Sequence, residues 1–344
     1  MLFSCKHGLG RFASLEKIVI ENCLALLSRM VSGEASHISP SYLAKLSIAG
    51  VQDSILHLSQ VSSIVDLEVS GCPSLSCLSL NSCTALEKVC IRDCISLRSI
   101  EGLESCTALR DLRVTNCELL QRLRASLSSL KMLAIEENKS LASLDLNSCT
   151  ALQKLCIVDC PALESWEGLK YLISLEDLQV KRSPGFTRSW VSAAEEVCSE
   201  HSFSLPLQKL DTDDTGVLCL PVCSMLTSLK TLFIDGGRDA QRGNVDILTK
   251  GLLLLTSLRH LNLERFVHLK SLPAELRSLK SLKGLFIGHC SSITSLPVGG
   301  LPDSLTDLEA YGCSEELNVA CREMLRVRRI NLSIDGTDVE QLSC

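Results

Sequence analysis

Two stretches of the chain, 66 residues apart, repeat each other closely: LSLNSCTALEKVCIRDC (Leu78–Cys94) and LDLNSCTALQKLCIVDC (Leu144–Cys160). The shift lays Leu80 on Leu146, Cys83 on Cys149, Leu86 on Leu152, Cys94 on Cys160 and Gly102 on Gly168. Self-similarity at fixed spacing constrains a fold more than composition does, because each copy must be one unit stacked on the next. Such a chain folds as a solenoid, growing along one axis.

A shorter unit runs inside each copy: Leu-x-x-Leu-x-Leu-x-x-Cys, as in Leu152, Leu155, Ile157 and Cys160. This is the leucine-rich-repeat pattern, with Cys or Asn at its last position. Units begin at Leu15, Leu43, Ile64, Leu86, Leu109, Leu130, Leu152, Leu175, Leu207, Leu229, Leu258, Leu282, Leu305 and Val327, mostly 21 to 24 residues apart. A half-period echo at Leu75, Leu97, Leu120, Leu141 and Leu163 marks a looser return segment. The x-Leu-x-Leu-x piece alternates as a strand does, leucines inward and the residues between them outward. The expected fold is α/β: a leucine-rich-repeat horseshoe with a parallel sheet on its concave face and irregular loops or short helices on its convex face.

The 46% apolar and 3% aromatic content fits an aliphatic core, and the net charge of −6 argues against a nucleic-acid footprint, which needs a basic face. No apolar run approaches the ~18 residues of a membrane span, and MLFSCKHGLGRF lacks the pattern of a signal peptide. The expected location is cytoplasmic or nucleocytoplasmic. The 19 cysteines fall mostly at repeat positions, with Cys23, Cys72, Cys94, Cys117, Cys160, Cys290 and Cys313 each closing a unit. Stacked at ~4.8 Å and pointing the same way, they form poor disulfide geometry and read as a reduced ladder.

The rhythm breaks at three places. SRMVSGEASHISPS is a surface loop; KRSPGFTRSWVSAAEEVCSEHSFSLP places Trp190, Ala193, Ala194 and Val197 at helical spacing; DGGRDAQRGNVDILTKG reads as a mobile charged loop. The domain reading is therefore regular repeats over 11–180, an inserted loop or helix over 181–206, and a second repeat block with a C-terminal cap over 207–344. SEELNVACREMLRVRRINLSIDG could supply a helix and last strand for that cap, and the chain reads as part of something larger.

The runs Ser183–Leu218, Leu255–Cys290 and above all LPVGGLPDSLTDLEAYGCSEEL (Leu296–Leu317) resemble the C-terminal repeat region of plant coiled-coil nucleotide-binding leucine-rich-repeat disease resistance proteins, especially those of grasses. The resemblance implies repeats that sense a pathogen effector, directly or through a guarded host protein, and hold a neighbouring nucleotide-binding domain inactive until they do. The chain departs from the family in carrying no Gly-x-x-x-x-Gly-Lys-Ser/Thr, no nucleotide-binding domain and no coiled coil. What transfers is the recognition surface.

Catalytic and metal chemistry finds little support. The pairs Cys90/Cys94, Cys156/Cys160 and Cys219/Cys223 have zinc-like spacing, but in the first two one cysteine faces out and the other inward. No Gly-x-Ser-x-Gly elbow or phosphate loop occurs, and LDTDDTG, without the Gly and Glu of a calcium loop, reads as a solvated turn. The sequons at Asn138 and Asn331 read as chance matches. No enzyme activity and no cofactor are expected. The candidate partner-binding residues lie between the strand leucines: Lys88, Arg92, Asp111, Arg113, Lys154, Asp177, Gln179, Lys181, His260, Asn262, Glu264, Glu309 and Tyr311. Cys90, Cys156, Gly284, Phe286, Gly288 and Asp307 share that face. The expected partner is a protein: an effector, a guarded host protein, or a nucleotide-binding domain in cis or in trans. Two other readings stay open, the substrate-binding repeats of an F-box-type ubiquitin-ligase adaptor and a structural repeat protein without an immune role.

Overall fold

In the computed structural model the chain divides into two compact units, Met1–Ile173 and Ser174–Cys344. The residues described are 16–22, 43–58, 62–200, 204–237, 250–297 and 299–339, with the side chains of 197–200 excepted. The unit start Leu15, the ladder residue Cys23, the loop SRMVSGEASHISPS and most of DGGRDAQRGNVDILTKG lie outside them, as does the Val197 side chain.

The first unit contains β1 (Lys17–Glu21), β2 (Lys45–Ala49), β3 (Ile55–His57), β4 (Asp66–Ser70), β5 (Cys77–Ser79), β6 (Lys88–Arg92), β7 (Ser99–Glu101), β8 (Asp111–Thr115), β9 (Arg122–Arg124), β10 (Met132–Glu136), β11 (Ser143–Asp145), β12 (Lys154–Val158) and β13 (Ser165–Glu167). The five-residue strands form a parallel main sheet in the order β1-β2-β4-β6-β8-β10-β12. Register aligns Leu46, Leu67, Val89, Leu112, Leu133 and Leu155, all nearly or fully buried. Each such burial contributes about 1.5–3 kcal/mol. A one-residue slip would turn every one of these side chains outward, so the leucines fix the register.

The return segments are more ordered than the sequence rhythm suggested. The three-residue strands form two further parallel sheets, β3-β5-β7 and β9-β11-β13. Three residues give too little alternation to be recognised in sequence.

Main strands end on a corner of fixed handedness. The residue after the strand is left-handed at Asn22, Gly50, Gly71, Asp93, Asn116, Glu137 and Asp159, with φ between 51° and 65°. Its N–H donates to the last residue of the next strand, as Asp93 does to the Thr115 carbonyl at 3.1 Å. Just past the corner sits the ladder position. Cys94, Cys117 and Cys160 are fully buried there, and each Sγ donates to the carbonyl two residues back, at 3.4, 3.6 and 3.5 Å. The fifteen described cysteines, from Cys72 to Cys321, are free thiols.

Asn138 takes the same position one unit after Cys117. It is fully buried and bonded to backbone on all sides, so as a sequon it offers no accessible amide. The leucine-rich-repeat pattern allows Asn or Cys at this point, and Asn138 closes the unit that begins at Leu130.

The second unit contains β14 (Asp177–Lys181), β15 (Lys209–Thr212), β16 (Thr231–Asp235), β17 (His260–Glu264), β18 (Gly284–Gly288), β19 (Asp307–Tyr311), β20 (Asn331–Ile334) and β21 (Thr337–Asp338), with helices α1 (Pro184–Glu200), α2 (Leu220–Met225) and α3 (Glu315–Met324). Strands β14 to β20 pair in parallel in chain order. Helix α1 buries Phe186, Trp190 and Ala194 at four-residue spacing and packs on α2. The Phe186 and Trp190 rings meet edge to face at 6.1 Å.

The C-terminal segment departs from the expected register. Leu332 pairs with Leu308 and Ile334 with Ala310, so the inward pair sits two residues later than a unit starting at Val327 requires. Val327 is 82% exposed. Helix α3 is capped by Ser314 Oγ, which accepts from Leu317 N at 3.2 Å, and carries Glu315 and Glu316 in its first turn. After β20 the two-residue Asp335–Gly336 turn, both left-handed, folds β21 back antiparallel onto it. That two-residue pairing covers part of the edge of β20.

The acidic knot is not a solvated turn. Asp213 accepts from the Arg182 backbone N–H at 2.8 and 3.0 Å, and burial raises its carboxyl pKa. Asp214 caps a short 3-10 helix by accepting from Gly216 N at 2.8 Å. Asp211 faces outward beside Lys181, 2.8 Å away.

Candidate functional site

Because inward and outward positions alternate, each main strand presents two or three side chains on the outer face of its sheet. In the first unit that face reads, strand by strand, Lys45-Ser47-Ala49, Asp66-Glu68-Ser70, Lys88-Cys90-Arg92, Asp111-Arg113-Thr115, Met132-Ala134-Glu136 and Lys154-Cys156-Val158. Lys88 therefore stands between Asp66 and Asp111 in register.

The charges form an interlocked set rather than a field of one sign. Lys45 reaches Asp66 at 3.6 Å, and Arg92 binds Glu68 on the neighbouring strand. Arg113 forks onto Asp111 at 3.1 and 3.2 Å and touches the Met132 sulfur at 3.5 Å. The hydrogen bonds that Arg92 donates to Glu68 and Arg113 donates to Asp111 raise both guanidinium pKa values above their ordinary level. Pairs this exposed contribute at most about 1 kcal/mol to stability; their effect is to fix side chains that would otherwise wave in solvent.

Cys156 corrects the sequence reading. It stands on the outer face but is 6% exposed, with Sγ 3.7 Å from Glu136 Oε1, and its neighbour Ala134 is 5% exposed. The two small side chains make a closed floor there, bordered by exposed Lys154. Cys90 is half-buried, with burial raising its pKa, while Cys94 is fully buried on the other side. Among the described residues no group of three or more His, Cys, Asp or Glu side chains is placed to hold a metal ion.

In the second unit the outer face carries Asp177, Gln179 and Lys181 on β14. Gln179 Nε2 donates to Asp211 Oδ2 at 3.1 Å, the carboxylate that Lys181 also meets. Further along come Thr231-Phe233-Asp235, His260-Asn262-Glu264, Gly284-Phe286-Gly288 and Asp307-Glu309-Tyr311. Asp235 is nearly buried and held by Arg265, whose Nε lies 2.7 Å from Oδ1. Tyr311 packs edge to face on His289 at 5.2 Å. Asp307 accepts from Asn331 at 2.8 Å and from Thr306, and these bonds lower its pKa. Lys209 Nζ sits 5.6 Å above the Phe233 ring.

All thirteen sequence-read partner positions thus lie on outer faces of main strands, five in the first unit and eight in the second. The sequence reading left out Asp66, Glu68, Lys209, Asp211 and Phe233. The signal was there: each stands between the inward residues of a recognised unit. Among the described residues no helix is long and apolar enough to cross a membrane.

No protein-family model matches the chain. The disease resistance protein RPS4B of Arabidopsis thaliana is 27% identical over 235 residues, which are 65% of this chain and 18% of that protein. The chain therefore spans under a fifth of the length of this curated relative. Structural comparison pairs the chain with a leucine-rich-repeat protein of Leptospira interrogans at 16% identity and TM-score 0.40, covering 94% of this chain and 91% of that one. It also pairs it with an internalin, InlF, of Listeria monocytogenes at 18% identity and TM-score 0.35, covering 86% of each. A third pairing is with the mouse RP105/MD-1 complex at 11% identity and TM-score 0.33, covering 88% of this chain and 59% of that one. The chain is a leucine-rich-repeat solenoid with partial similarity to a plant disease resistance protein.

Proposed function

We propose that the chain is a protein-recognition module of plant innate immunity. Its main-sheet outer faces sense a pathogen effector or a guarded host protein and restrain a nucleotide-binding switch domain, as in the coiled-coil resistance proteins of grasses. The observation that carries the reading is the 27% identity to a disease resistance protein over 235 residues, joined to a scaffold whose inward leucines are uniform and whose outward positions are varied. In this reading the chain is one repeat domain, with an insertion over 181–206 and a capped second block from 207 onward, and it works in the cytoplasm without catalysing a reaction.

The mechanism is a difference in affinity. The repeats bind the inactive form of the switch domain more tightly than the active one, and a ligand that competes for the same face removes that bias. To move such an equilibrium from 1:99 to 99:1 the ligand must supply about 5.5 kcal/mol of differential binding. A few well-placed residues can carry that much, since hot spots form under about a third of an interface.

The test is co-purification of this chain with a separately expressed nucleotide-binding module from a plant resistance protein. A complex that weakens at least about tenfold when Arg92, Arg113 and Lys154 are changed to Glu supports a restraining face that acts in trans. A folded chain that retains no such module contradicts the proposal.

A further inference from the structure

The second unit holds a recess on its outer face that the sequence reading did not single out as a site. It is a cavity of about 480 Å³ floored by Phe233, Asn262 and Phe286, with Asp307 and Glu309 at its rim. Register places Phe233, Asn262, Phe286 and Glu309 in one row across β16 to β19. The backbones of the two phenylalanines are thus two strand spacings apart, roughly 9–10 Å, with Asn262 between them.

Two glycines shape the recess. A Cβ at Gly288 would stand 2.6 Å from Phe286 Cε1, and one at Gly284 would stand 2.7 Å from His260 Nδ1. The Phe286 ring and the His260 ring can lie along the sheet only because those positions carry no side chain. Half-buried aromatic rings on a sheet face are costly to leave to water unless something covers them.

The electrostatics select what would cover them. Lys209 already places its ammonium over Phe233, whereas no cation or ring lies on Phe286 among the described residues. Asp307 is occupied by Thr306 and Asn331, and Asp235 by Arg265. The side-chain carboxylates of Glu264 and Glu309 flank Phe286 without an ion pair or hydrogen bond among the described residues. A ring face with two uncommitted carboxylates beside it matches a planar, delocalised cation on an apolar stem.

We propose that this recess is a docking pocket for an arginine side chain presented by an extended segment of a partner protein. The guanidinium stacks on Phe286, and its N–H groups are met by the carboxylates of Glu309 and Glu264 and the carbonyl of Asn262. The inference rests on the protein-recognition reading above and narrows it to a partner with a basic contact segment.

The test uses the full chain labelled with 4-fluorophenylalanine and titrated by ¹⁹F NMR. The probes are an acetylated Gly-Ser-Gly-Arg-Gly-Ser-Gly amide and the same peptide with citrulline, the neutral isostere, in place of arginine. The Phe286 resonance is assigned with Phe286→Leu. The expected result is a saturable shift of that resonance with the arginine peptide and at least about tenfold weaker binding of the citrulline peptide. The isosteric Glu264→Gln/Glu309→Gln pair should reduce the arginine response about tenfold and leave the circular dichroism unchanged. A Phe286 resonance that ignores the arginine peptide, or that responds equally to citrulline, overturns the proposal. Running the nucleotide-binding co-purification on the same Gln pair separates the two claims. Retention of the module together with a silent Phe286 sinks the pocket alone, whereas loss of the module with wild-type chain sinks the recognition reading.

Discussion

Asn138 Oδ1 lies 3.0 Å from the backbone nitrogen of Cys117, and the same amide donates to the Val114 and Glu136 carbonyls at 2.8 Å each. One side chain thereby ties the corner of its own unit to the corner of the unit before. Replacing Asn138 with Ala orphans a buried N–H and two carbonyls. The expected cost is about 2–4 kcal/mol, because each unsatisfied buried group costs about 1–3 kcal/mol and water can recover some of it. A fall in the urea midpoint, with the slope unchanged, measures it.

Gly102 and Gly168 hold equivalent places in the two long copies, and both are left-handed, at φ 77° and 109°. A Cβ at Gly168 would stand 2.5 Å from the Leu146 carbonyl carbon. Gly168→Ala should cost about 2–4 kcal/mol from strain and overlap together. Gly71, also left-handed, has nothing within 4 Å of its Cβ, and Asn116 takes that conformation at the equivalent corner. Gly71→Asn should therefore stay within about 0.5 kcal/mol of the parent. Thermal melts of the two variants beside the parent test the contrast.

Trp190 anchors α1 from a fully enclosed site against Phe186, and its Nε1 is buried with no partner among the described residues. Trp190→Ala should destabilise the chain by about 3–5 kcal/mol. Trp190→Phe, which deletes the unmet N–H along with part of the ring, should cost less than half as much. Equal losses in the two variants would show that shape rather than volume dominates the site.

Burial pushes the thiols of Cys117, Cys223 and Cys290 up to about 12, and those of Cys149 and Cys160 to about 11, from an ordinary 9.0. The folded chain keeps these protons to higher pH than the unfolded chain does. The stability they contribute is therefore complete below about pH 9 and is lost progressively as pH rises toward 11–12. Cys72 runs the other way, its pKa lowered by the Cys94 thiol against the effect of burial, but it is one group against several. The urea midpoint should decline above pH 9, and the decline should shrink in a Cys117→Ala/Cys290→Ala variant relative to its own value at pH 7.

Much of the fold was legible because Leu46, Leu67, Val89 and their successors are one-dimensional information: a period and an inward set. The unit starting at Val327 was misplaced because Val327, Ile330 and Leu332 imitate the pattern, while pairing with Leu308 and Ala310 selects Leu332 and Ile334 instead. The three-residue return strands could not be read, since strands such as Cys77–Ser79 and Ser99–Glu101 hold a single aliphatic residue, Leu78 or Ile100, too few to show alternation within the strand. The outward face was legible by alternation, which found Lys88, Arg113 and Glu309. How those residues combine was not. Arg92 meets Glu68 across a strand boundary 24 residues away, and Cys156 is covered by its neighbours rather than by its own pattern.

The central claim, that the outer faces of the main strands receive the partner, is tested most directly by lysine footprinting of the complex. Limited acetylation with and without bound nucleotide-binding module would be read by mass spectrometry. Lys88, Lys154 and Lys209 stand on main-strand outer faces, whereas Lys139, beside Glu118, lies outside the main strands and is 68% exposed. Protection of at least about threefold at one or more of the first three, with Lys139 unchanged, is the expected result. Protection of Lys139 with Lys88, Lys154 and Lys209 unaffected would contradict the account and move recognition to the turn side of the repeats.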